Sequence, residues 1–491
     1  MELRQLLKGF EYEISCENDI DCENIEINYL TLDSRNVRKN TLFICIDGFK
    51  VDGHNFIEEA YKNGAVAFIV SKDLPVPKGA VKIVVKNSRI AMAFISENFY
   101  KFDKEKVKLI GITGTNGKTS SSFYMHHILM KANKIAGLIG TVDIKINEEQ
   151  LKVDFATSTT PDSIELMQIL KSMTNKNATN VVMEVTSHAL LLHKVENLEF
   201  EVSIFTNLTT DHLDLHKTME NYRDAKAKLF EQSKVSVINV DDPYGDFMVS
   251  KSKKAFTYSI KKDSDFKASN LQFTNEGVDF NVNIEGENHK FCLPIHGTFS
   301  VYNALGVIVS AYILGVDIEV IKDGIKTLKS VPGRIEKIEN NLGINVIVDY
   351  AHTPDGLYSI ISTVLEFTKG RVITVFGCGG DRDKTKRPMM GEISSKYSDI
   401  TIITSDNPRS ENPYDILKDI EKGTQHGEVM LIEDREEAIK TAINLANKTD
   451  SVIIAGKGHE NYQIFKDITI DFDDSYIAKK IINEIEANLW N

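Results

Sequence analysis

The chain has 491 residues, of which 42% are hydrophobic and 26% are charged, and its formal net charge is −13. This length predicts several domains, because single hydrophobic cores rarely grow beyond a few hundred residues. The acidic balance argues against nucleic acid as a partner, since nucleic-acid binding requires a basic face. The sequence starts without an apolar signal segment, and no apolar run approaches the roughly 20 residues that span a bilayer. We therefore predict a cytoplasmic protein without a membrane span.

The predicted elements form three consecutive α/β blocks, at residues 1–105, 106–332 and 333–491. The first block mixes short strands with helices. In the second block, apolar strands alternate with helical patterns, which predicts a parallel sheet with crossover helices. Strand-like alternation at 255–295 predicts an antiparallel annex. The third block repeats the alternation of strands and helices and is typical of a Rossmann-like, doubly wound unit.

The cysteines and arginines add two expectations. The five cysteines are odd in number and contain no CxxC pair, which predicts reduced thiols rather than a disulfide framework or a zinc site. Only 11 of the 58 basic residues are arginines. Because a guanidinium binds carboxylates and phosphates in a bidentate manner, an arginine in a turn is a candidate for ligand contact. Five arginines lie in or beside turn motifs: Arg35, Arg334, Arg382, Arg387 and Arg409.

The second block opens with a pattern that is typical of a nucleotide phosphate loop. Residues 109–122 read as an apolar strand, a glycine-containing turn, a lysine–threonine pair and a helix. In such a loop the backbone N–H groups surround phosphate oxygens and the helix N-terminus adds its dipole. Lys118 would neutralise the outer phosphates and Thr119 would hold magnesium. The strict Walker pattern needs a glycine where the chain has Ile112, so a glycine-rich turn without a ligand is the alternative.

Two candidate metal ligands follow apolar strands of the same block. Glu184 lies near the end of the strand predicted at 180–185, and a carboxylate at that end of a strand faces the ligand crevice of an α/β sheet. A surface or helix-capping glutamate is the alternative. His212 follows the strand predicted at 202–206. A lone histidine of this kind is more often a packed or hydrogen-bonding residue than a ligand.

The helix predicted at 219–232 carries Lys226 on its apolar stripe, whereas Lys228 points elsewhere. A desolvated lysine has a depressed pKa, and its neutral amine can react with carbon dioxide to give a carbamate. The carbamate would be a carboxylate-like metal ligand. The pattern alone favours the alternative, in which the ammonium reaches water from the edge of the stripe.

Three short motifs follow strands of the third block, at 377–383, 405–409 and 456–460. Because all three lie at carboxyl ends of strands, we expect them to converge on one crevice. Carboxylates attract an amine and arginines attract carboxylates, so the crevice is suited to a zwitterion with additional charges. Loop-capping ion pairs are the alternative for any one motif. The predicted members are Arg382, Asp406, Asn407, Pro408, Arg409, Gly456 and Glu460.

Together these motifs resemble the Mur ligase family, and in particular its MurE branch. The resemblance covers nearly the whole chain in order, through residues 113–119, 184–190, 207–214, 222–226, 331–334, 349–355 and 456–460. It implies a UDP-muramoyl-binding domain, a central ATPase domain and an amino-acid-binding domain in a monomeric enzyme. It also implies ATP and Mg²⁺ as cofactors. In the implied reaction, UDP-MurNAc-L-Ala-D-Glu is phosphorylated on its terminal carboxylate, and the amine of a diamino diacid attacks the acyl phosphate.

The resemblance also implies residue roles. It identifies Lys226 as a carbamylated lysine (N6-carboxylysine), and it assigns catalytic or metal-site roles to Lys118, Thr119, Glu184 and His212. The implied ATP contacts are Gly114, Thr115, Asn116, Gly117, Lys118, Thr119, Asn303, Arg334 and Asp349. The implied muramoyl contacts are Ser34, Thr159, Thr160, Thr186 and Lys194. The family commonly has serine at position 186 and arginine at 194, so Lys194 loses a bidentate contact.

The sequence at 406–409 resembles that of members that add meso-diaminopimelate, because Arg409 would pair with a distal carboxylate that lysine lacks. A thioether diacid such as meso-lanthionine keeps both charged ends and stays open, as does L-lysine if the Arg409 argument fails. A different Mur or folylpolyglutamate ligase, a phosphate-loop kinase or GTPase, and a non-catalytic nucleotide-binding module are the remaining alternatives.

Overall fold

A computed structural model describes residues 1–16, 22–48, 51–151, 153, 159–274 and 276–489 of the chain. Within that part the strands form three larger sheets that follow one another along the sequence, and a separate two-stranded hairpin. The predicted α/β class with three units is therefore confirmed. None of the helices in these ranges is long and apolar enough to cross a membrane.

The first sheet has five strands in the order β1-β5-β4-β3-β2, with β1 antiparallel to β5 and the others parallel. Its elements are α1 (Leu3–Leu6), β1 (Glu13–Ser15), β2 (Tyr29–Thr31), β3 (Thr41–Ile44), α2 (Ile57–Lys62), β4 (Ala65–Val70), β5 (Val81–Val84) and α3 (Ser88–Tyr100).

The second sheet has eleven strands in the order β16-β15-β14-β13-β12-β11-β6-β10-β7-β8-β9. Its strands are β6 (Lys108–Thr113), β7 (Ala136–Ile139), β8 (Ile144–Ile146), β9 (Glu149–Gln150), β10 (Asn180–Glu184), β11 (Phe200–Phe205), β12 (Ser233–Asn239), β13 (Ala255–Ser259), β14 (Phe266–Thr274), β15 (Gly277–Ile284) and β16 (Glu287–Leu293). The helices of this region are α4 (Lys118–Lys131), α5 (Ser163–Asn175), α6 (Ser187–Leu191), α7 (Leu213–His216), α8 (Met219–Glu231), α9 (Gly245–Ser250), α10 (Thr298–Ile313) and α11 (Ile318–Lys326).

The central strands of this sheet are apolar because helices cover them on both faces. β6 lies between β10 and β11 and is parallel to both. The phosphate loop follows β6, so it lies at the carboxyl edge of the sheet, next to the ends of two neighbouring strands. The predicted antiparallel annex is confirmed in β14, β15 and β16.

The third sheet has six strands in the order β17-β18-β22-β19-β20-β21, and all of its pairs except β17–β18 are parallel. Its strands are β17 (Glu336–Ile338), β18 (Asn345–Asp349), β19 (Val372–Phe376), β20 (Ile400–Ile403), β21 (Glu428–Leu431) and β22 (Ser451–Ala455). The hairpin consists of β23 (Tyr462–Phe465) and β24 (Ile468–Asp471). The helices are α12 (Pro354–Phe367), α13 (Lys386–Tyr397), α14 (Pro413–Glu421), α15 (Arg435–Leu445) and α16 (Asp474–Leu489).

The expectation that all cysteines are reduced is wrong for Cys16 and Cys22, which form a disulfide. Their Cα atoms are 6.0 Å apart, within the usual range for such a bond. An odd number of cysteines does not show whether two of them lie close enough in the fold to form a disulfide. Cys45, Cys292 and Cys378 are free.

Candidate active site

The loop between β6 and α4 has the backbone shape of a phosphate loop. Gly117 caps α4 with φ of 83°, a conformation that favours glycine. A Cβ atom at Gly117 would also overlap the side-chain oxygen of Asn303, so α10 lies directly against the loop. Asn207 holds the loop from the other side, because its Oδ1 accepts from the N–H of Asn116 at 2.9 Å.

Lys118 is folded back over this loop. Its ammonium donates to the carbonyl oxygens of Gly114 at 2.9 Å and Thr115 at 2.8 Å. Burial lowers the pKa of Lys118, while the nearby Glu184 acts in the opposite direction. The ammonium is thus held at the mouth of the loop, where outer phosphates of a nucleotide would need a cation.

Thr119, in the first turn of α4, and Glu184, at the end of β10, form a buried pair. The Thr119 hydroxyl donates to Glu184 Oε2 at 2.9 Å, and Glu184 is 0% exposed. Thr141 completes the carboxylate's environment, with its N–H at 2.9 Å from Oε1 and its hydroxyl at 3.1 Å from Oε2. The hydrogen bonds of the carboxylate therefore come from neutral donors, with the Lys118 ammonium within electrostatic reach.

This pair matches the chemistry of a magnesium site. Mg²⁺ prefers one or two protein oxygen ligands and completes its shell with water and substrate phosphates. The hydroxyl of Thr119 and the carboxylate of Glu184 are such oxygens. In the described ranges there is no group of three or more His, Cys, Asp or Glu side chains that could hold a metal ion.

Four of the five predicted muramoyl contacts surround Glu184. The Thr160 hydroxyl donates to the Glu184 carbonyl at 2.8 Å and lies 3.3 Å from the Thr186 hydroxyl. Lys194 donates to the Thr160 carbonyl at 3.2 Å. Thr159 lies 3.0 Å from the Thr141 hydroxyl. The fifth, Ser34, lies in a 3-10 turn beside the first sheet, where its carbonyl accepts from Asn63.

Lys226 is buried against the phosphate loop, with an exposed fraction of 1%. Its ammonium donates to the Gly114 carbonyl at 2.8 Å and lies 4.7 Å from the centre of the Tyr222 ring. Burial, assisted by the charge of Lys118, lowers the pKa of Lys226 well below its ordinary value. The interpretation that this ammonium reaches water is therefore wrong, because the stripe of α8 packs directly onto the loop.

His212 lies in a cluster of aromatic side chains next to the same loop. Its ring is 4.8 Å from the ring of His188 and 6.1 Å from that of Tyr222, both edge to face. Its Nε2 lies 3.4 Å from Asp211 Oδ2. Burial lowers the pKa of His212, although Asp211 opposes the shift, and this favours the neutral imidazole that can ligate a metal.

Arg334, at the start of the third unit, reaches into the phosphate loop. One of its Nη atoms lies 3.4 Å from the Thr119 hydroxyl, and its guanidinium stacks 4.6 Å from the centre of the Tyr350 ring. Asp349 accepts the N–H groups of Ile335 at 2.9 Å and Ala351 at 2.8 Å. Burial raises the pKa of Asp349, and Arg334 opposes that shift. The second and third units therefore share this edge of the site.

The predicted convergence of the loops after β20 and β22 is confirmed. Asn407 Nδ2 donates to Glu460 Oε2 at 2.9 Å. Asp406 Oδ1 accepts the N–H of Asn407 at 2.6 Å. A Cβ atom at Gly456 would lie 2.9 Å from Asp406 Oδ2, so the two loops touch closely. Pro408 follows Asn407 and directs the loop towards Arg409.

Arg409 lies beside a cavity of about 450 Å³. Its guanidinium donates to the Gly380 carbonyl at 2.8 Å, which brings the loop after β19 into the same crevice. The cavity is lined by Asp381, Arg409, Ser410, Ile464, Lys466 and Asp467. Arg382 is exposed and donates to the carbonyl of Asp381 at 3.3 Å, so its side chain is free to meet a ligand at the rim.

Two of the five arginines in turns serve the fold. Arg387 is buried and forms ion pairs with Glu411 at 2.9 Å and Asp419 at 3.0 Å. Arg35 is exposed and pairs with Asp33.

Lys457 is a further residue of this crevice that was not predicted from the sequence. Its side chain is 0% exposed, and its ammonium donates to Asn407 Oδ1 at 3.3 Å and Glu460 Oε2 at 3.1 Å. Its position within the motif at 456–460, between two predicted site residues, is the feature of the sequence that could have identified it.

Three family models match the chain. The Mur ligase family catalytic domain matches residues 26–105, the Mur ligase middle domain matches 112–311, and the Mur ligase glutamate ligase domain matches 333–458. A Clostridium perfringens protein named UDP-N-acetylmuramoyl-L-alanyl-D-glutamate–2,6-diaminopimelate ligase is 48% identical over 98% of this chain and 99% of its own length. A Clostridium tetani protein of the same name is 46% identical over 99% of this chain and 100% of its own.

Solved structures with the same architecture include one of a UDP-N-acetylmuramoyl-L-alanyl-D-glutamate–2,6-diaminopimelate ligase. It is 30% identical, covers 99% of both chains and has a TM-score of 0.71. A Thermotoga maritima MurF ligase in complex with ADP is 19% identical, covers 93% of this chain and 96% of its own, and has a TM-score of 0.64. The second similarity concerns the fold alone.

Proposed function

The chain belongs to the Mur ligase family, and on this premise we propose that it joins meso-diaminopimelate to UDP-MurNAc-L-Ala-D-Glu at the expense of ATP. The proposed setting is peptidoglycan precursor synthesis in the cytoplasm. The observation that carries the proposal is the meeting of two half-sites, a phosphate loop and a crevice for a zwitterion. Arg334 and Tyr350 lie between them.

Each half-site has a proposed substrate. We assign residues 1–105 and the threonines around Glu184 to the UDP-muramoyl dipeptide, 106–332 to ATP, and 333–491 to the amino acid. Asn303 and Arg334 lie against the phosphate loop, and Asp349 accepts the N–H of Ile335 next to Arg334. All three would contact the nucleotide. Lys194 would offer its ammonium to the anionic dipeptide substrate as a point charge.

The proposed reaction has two steps. A terminal carboxylate oxygen of the D-glutamate attacks the γ-phosphorus of ATP, which yields an acyl phosphate and ADP. The amine of meso-diaminopimelate then attacks the acyl carbon, phosphate leaves, and the amine loses a proton. Lys118 and the N–H groups of the loop stabilise the negative charge that develops on the transferred phosphoryl group.

Magnesium would be held by Thr119, Glu184 and His212, together with Lys226 as its carbamate, and would neutralise phosphate charge. The structure supports the lysine assignment through its environment. Lys118 and Lys226 donate to the same Gly114 carbonyl, so two ammonium groups share one acceptor. Conversion of the Lys226 amine to an anionic carbamate would remove that repulsion.

In the amino-acid crevice, Arg409 would form a bidentate pair with the distal carboxylate of the substrate. Asp406, Asn407 and Glu460 would hold its ammonium groups, and Arg382 would contact a carboxylate from the rim. L-Lysine lacks the distal carboxylate and would leave Arg409 without an anionic partner. That difference predicts discrimination against lysine.

The test measures phosphate release from ATP with UDP-MurNAc-L-Ala-D-Glu and each of meso-diaminopimelate, meso-lanthionine and L-lysine. We expect turnover with the two diacids and little with lysine. The ratio of kcat/KM for the two diacids decides which of them the crevice prefers. Equal turnover with lysine would overturn the role of Arg409, and no turnover with any of the three would overturn the proposed function.

The variant Arg409→Met sharpens this test. Because a charge-assisted bidentate contact is lost, we expect the KM for meso-diaminopimelate to rise about 10- to 100-fold. The KM for ATP should stay within about twofold, since Arg409 lies outside the phosphate loop. Lys440→Met, an exposed cation on α15, serves as the control and should change neither value. An unchanged KM for the diacid in Arg409→Met would contradict the assignment.

A further inference from the structure

Arg435 and Asp474 form an ion pair that is enclosed beneath the amino-acid crevice. Arg435 opens α15 and Asp474 opens α16, and both side chains are 0% exposed. The Nε and one Nη of Arg435 donate to Oδ1 and Oδ2 of Asp474, each at 2.7 Å. This is the bidentate geometry in which a guanidinium and a carboxylate satisfy each other without water.

The other N–H groups of Arg435 hold the ends of two strands. One Nη donates to the Ser405 carbonyl at 3.2 Å, and the other donates to the Ala455 carbonyl at 3.0 Å. Ser405 directly precedes Asp406, and Ala455 directly precedes Gly456. Arg435 therefore binds the residues that directly precede the two loops with the proposed amino-acid contacts.

The sheet itself does not bring these two strand ends together, because β19 lies between β20 and β22. A direct link between them must come from side chains beyond the strands. Gln463 makes a second connection to the loop after β20, since its side-chain amide donates to the Asp406 carbonyl at 2.9 Å. The separation of Asn407 from Glu460, which are joined at 2.9 Å, depends on these connections.

The pair also determines the charge beneath the crevice. The carboxylates of Asp406 and Glu460 lie within electrostatic reach of the Arg435 guanidinium. Lys457 pairs with Glu460, and Asp474 neutralises the Arg435 guanidinium, so the negative charge of Asp406 is not cancelled from beneath and suits an ammonium group of a substrate. Without the Asp474 charge, a buried cation would stand next to the place where an ammonium must bind.

We propose that Arg435 and Asp474 are a positioning pair for the amino-acid substrate, which fixes the spacing of its two binding loops and balances the charge under them. The inference rests on the proposed function. Buried ion pairs add little net stability compared with apolar residues of the same size, so specific geometry is the better explanation for keeping one here. The pair acts through Asp406, Asn407 and Glu460 and does not itself touch the substrate.

The experiment compares Asp474→Asn with Asp450→Asn in the full-length enzyme. Asp450 forms an ion pair with Arg371, whose Nε and one Nη both donate to Asp450 Oδ2, but at the opposite end of the same sheet. We expect Asp474→Asn to raise the KM for meso-diaminopimelate at least about tenfold, as loss of a supporting contact commonly does. The KM values for ATP and UDP-MurNAc-L-Ala-D-Glu should stay within about twofold. Asp450→Asn should leave all three KM values unchanged.

The outcomes separate a positioning role from a structural one. A merely structural role would reduce the fraction of folded enzyme, which lowers Vmax and leaves every KM as it was. That result, or an equal rise for Asp450→Asn, would overturn the inference. Asp474→Glu restores the charge and should recover part of the lost affinity. If Asp474→Asn does not fold, Arg435→Lys, which keeps the charge but loses the fork, is judged by the same criteria. Inactive wild-type enzyme would instead count against the proposed function.

Discussion

At the scale of single residues, the strongest electrostatic conflict lies between Lys118 and Lys226. Both ammonium groups donate to the carbonyl of Gly114, at 2.9 and 2.8 Å. Burial is the main cause that lowers the pKa of both lysines; the charge of Lys118 adds to the shift of Lys226, and the charge of Arg334 adds to the shift of Lys118. The group that gives up its proton becomes a nucleophilic amine. The nearly complete burial of Lys226 makes it the better candidate.

We therefore predict that Lys226 carries a carbamate in the presence of carbon dioxide. With ¹³C-labelled bicarbonate, NMR should show one protein carbamate signal that disappears in Lys226→Arg. Activity of that variant should fall about 100-fold or more, because a cation replaces an anionic ligand. Lys228→Arg, two residues along the same helix, should keep both signal and activity. A signal that survives in Lys226→Arg would place the modification elsewhere.

At the scale of elements, a half-buried ion pair holds α13 to the loop that follows β20. Arg387 on α13 donates to both carboxylate oxygens of Glu411, at 2.9 and 3.1 Å. Glu411 in turn accepts the N–H of Asp381 at 2.7 Å. The hydrogen bond from Arg387 is the main cause that lowers the pKa of Glu411 to about 2. The rim of the amino-acid crevice is thereby tied to a helix.

We predict that Glu411→Gln lowers the free energy of unfolding by about 1 kcal/mol at pH 7, a modest value because water partly screens the pair. The folded-state pKa of Glu411 lies below its ordinary value of 4.5, so its stabilising effect is complete above pH 4.5. The effect is lost as the pH falls from 4.5 towards 2. Urea unfolding at several pH values should show that the free energies of unfolding of the wild type and the variant become equal as the pH falls through that range. Glu421→Gln is the control, and a difference that does not depend on pH would contradict the prediction.

How far the sequence predicts the structure depends on whether a feature is local. The apolar strand at 180–184 was predicted to within a residue, because full burial in a parallel sheet leaves a continuous apolar run. The hairpin of β23 and β24 was missed, because β24 is exposed and has no such run. Arg435 and Asp474 were missed as well. They are 39 residues apart, and no spacing rule connects an arginine on one helix with a partner at the start of another.

In the candidate site too, features formed by neighbouring residues were predictable, and features that depend on tertiary contacts were not. The loop at 113–119 could be predicted from a short stretch of sequence, since the strand, turn, lysine and helix of a phosphate loop are adjacent in the chain. For Lys226 the helical pattern placed the side chain on the correct face. It did not show what covers that face, so burial against Gly114 could come only from the tertiary structure.

At the scale of the whole molecule, the two half-sites are connected through a short chain of contacts. Arg334 reaches Thr119 at 3.4 Å and stacks on Tyr350 at 4.6 Å, and the Tyr350 hydroxyl donates to Glu460 at 3.4 Å. These hydrogen bonds are long, so each is weak alone. Ligands in either half-site would therefore rearrange these three contacts at little cost.

We predict that ligands close the central and C-terminal units on each other, with hinges near residues 106 and 333. Small-angle scattering with a non-hydrolysable ATP analogue and meso-diaminopimelate should show a smaller radius of gyration than the free protein. Arg334→Met removes the side chain that spans the gap, so the nucleotide alone should cause less closure in that variant. Lys337→Met, an exposed cation three residues away, should close like the wild type. Identical scattering profiles with and without ligands would contradict the prediction. The two half-sites would then already have the spacing that the reaction needs, and the amide bond would form without a domain movement.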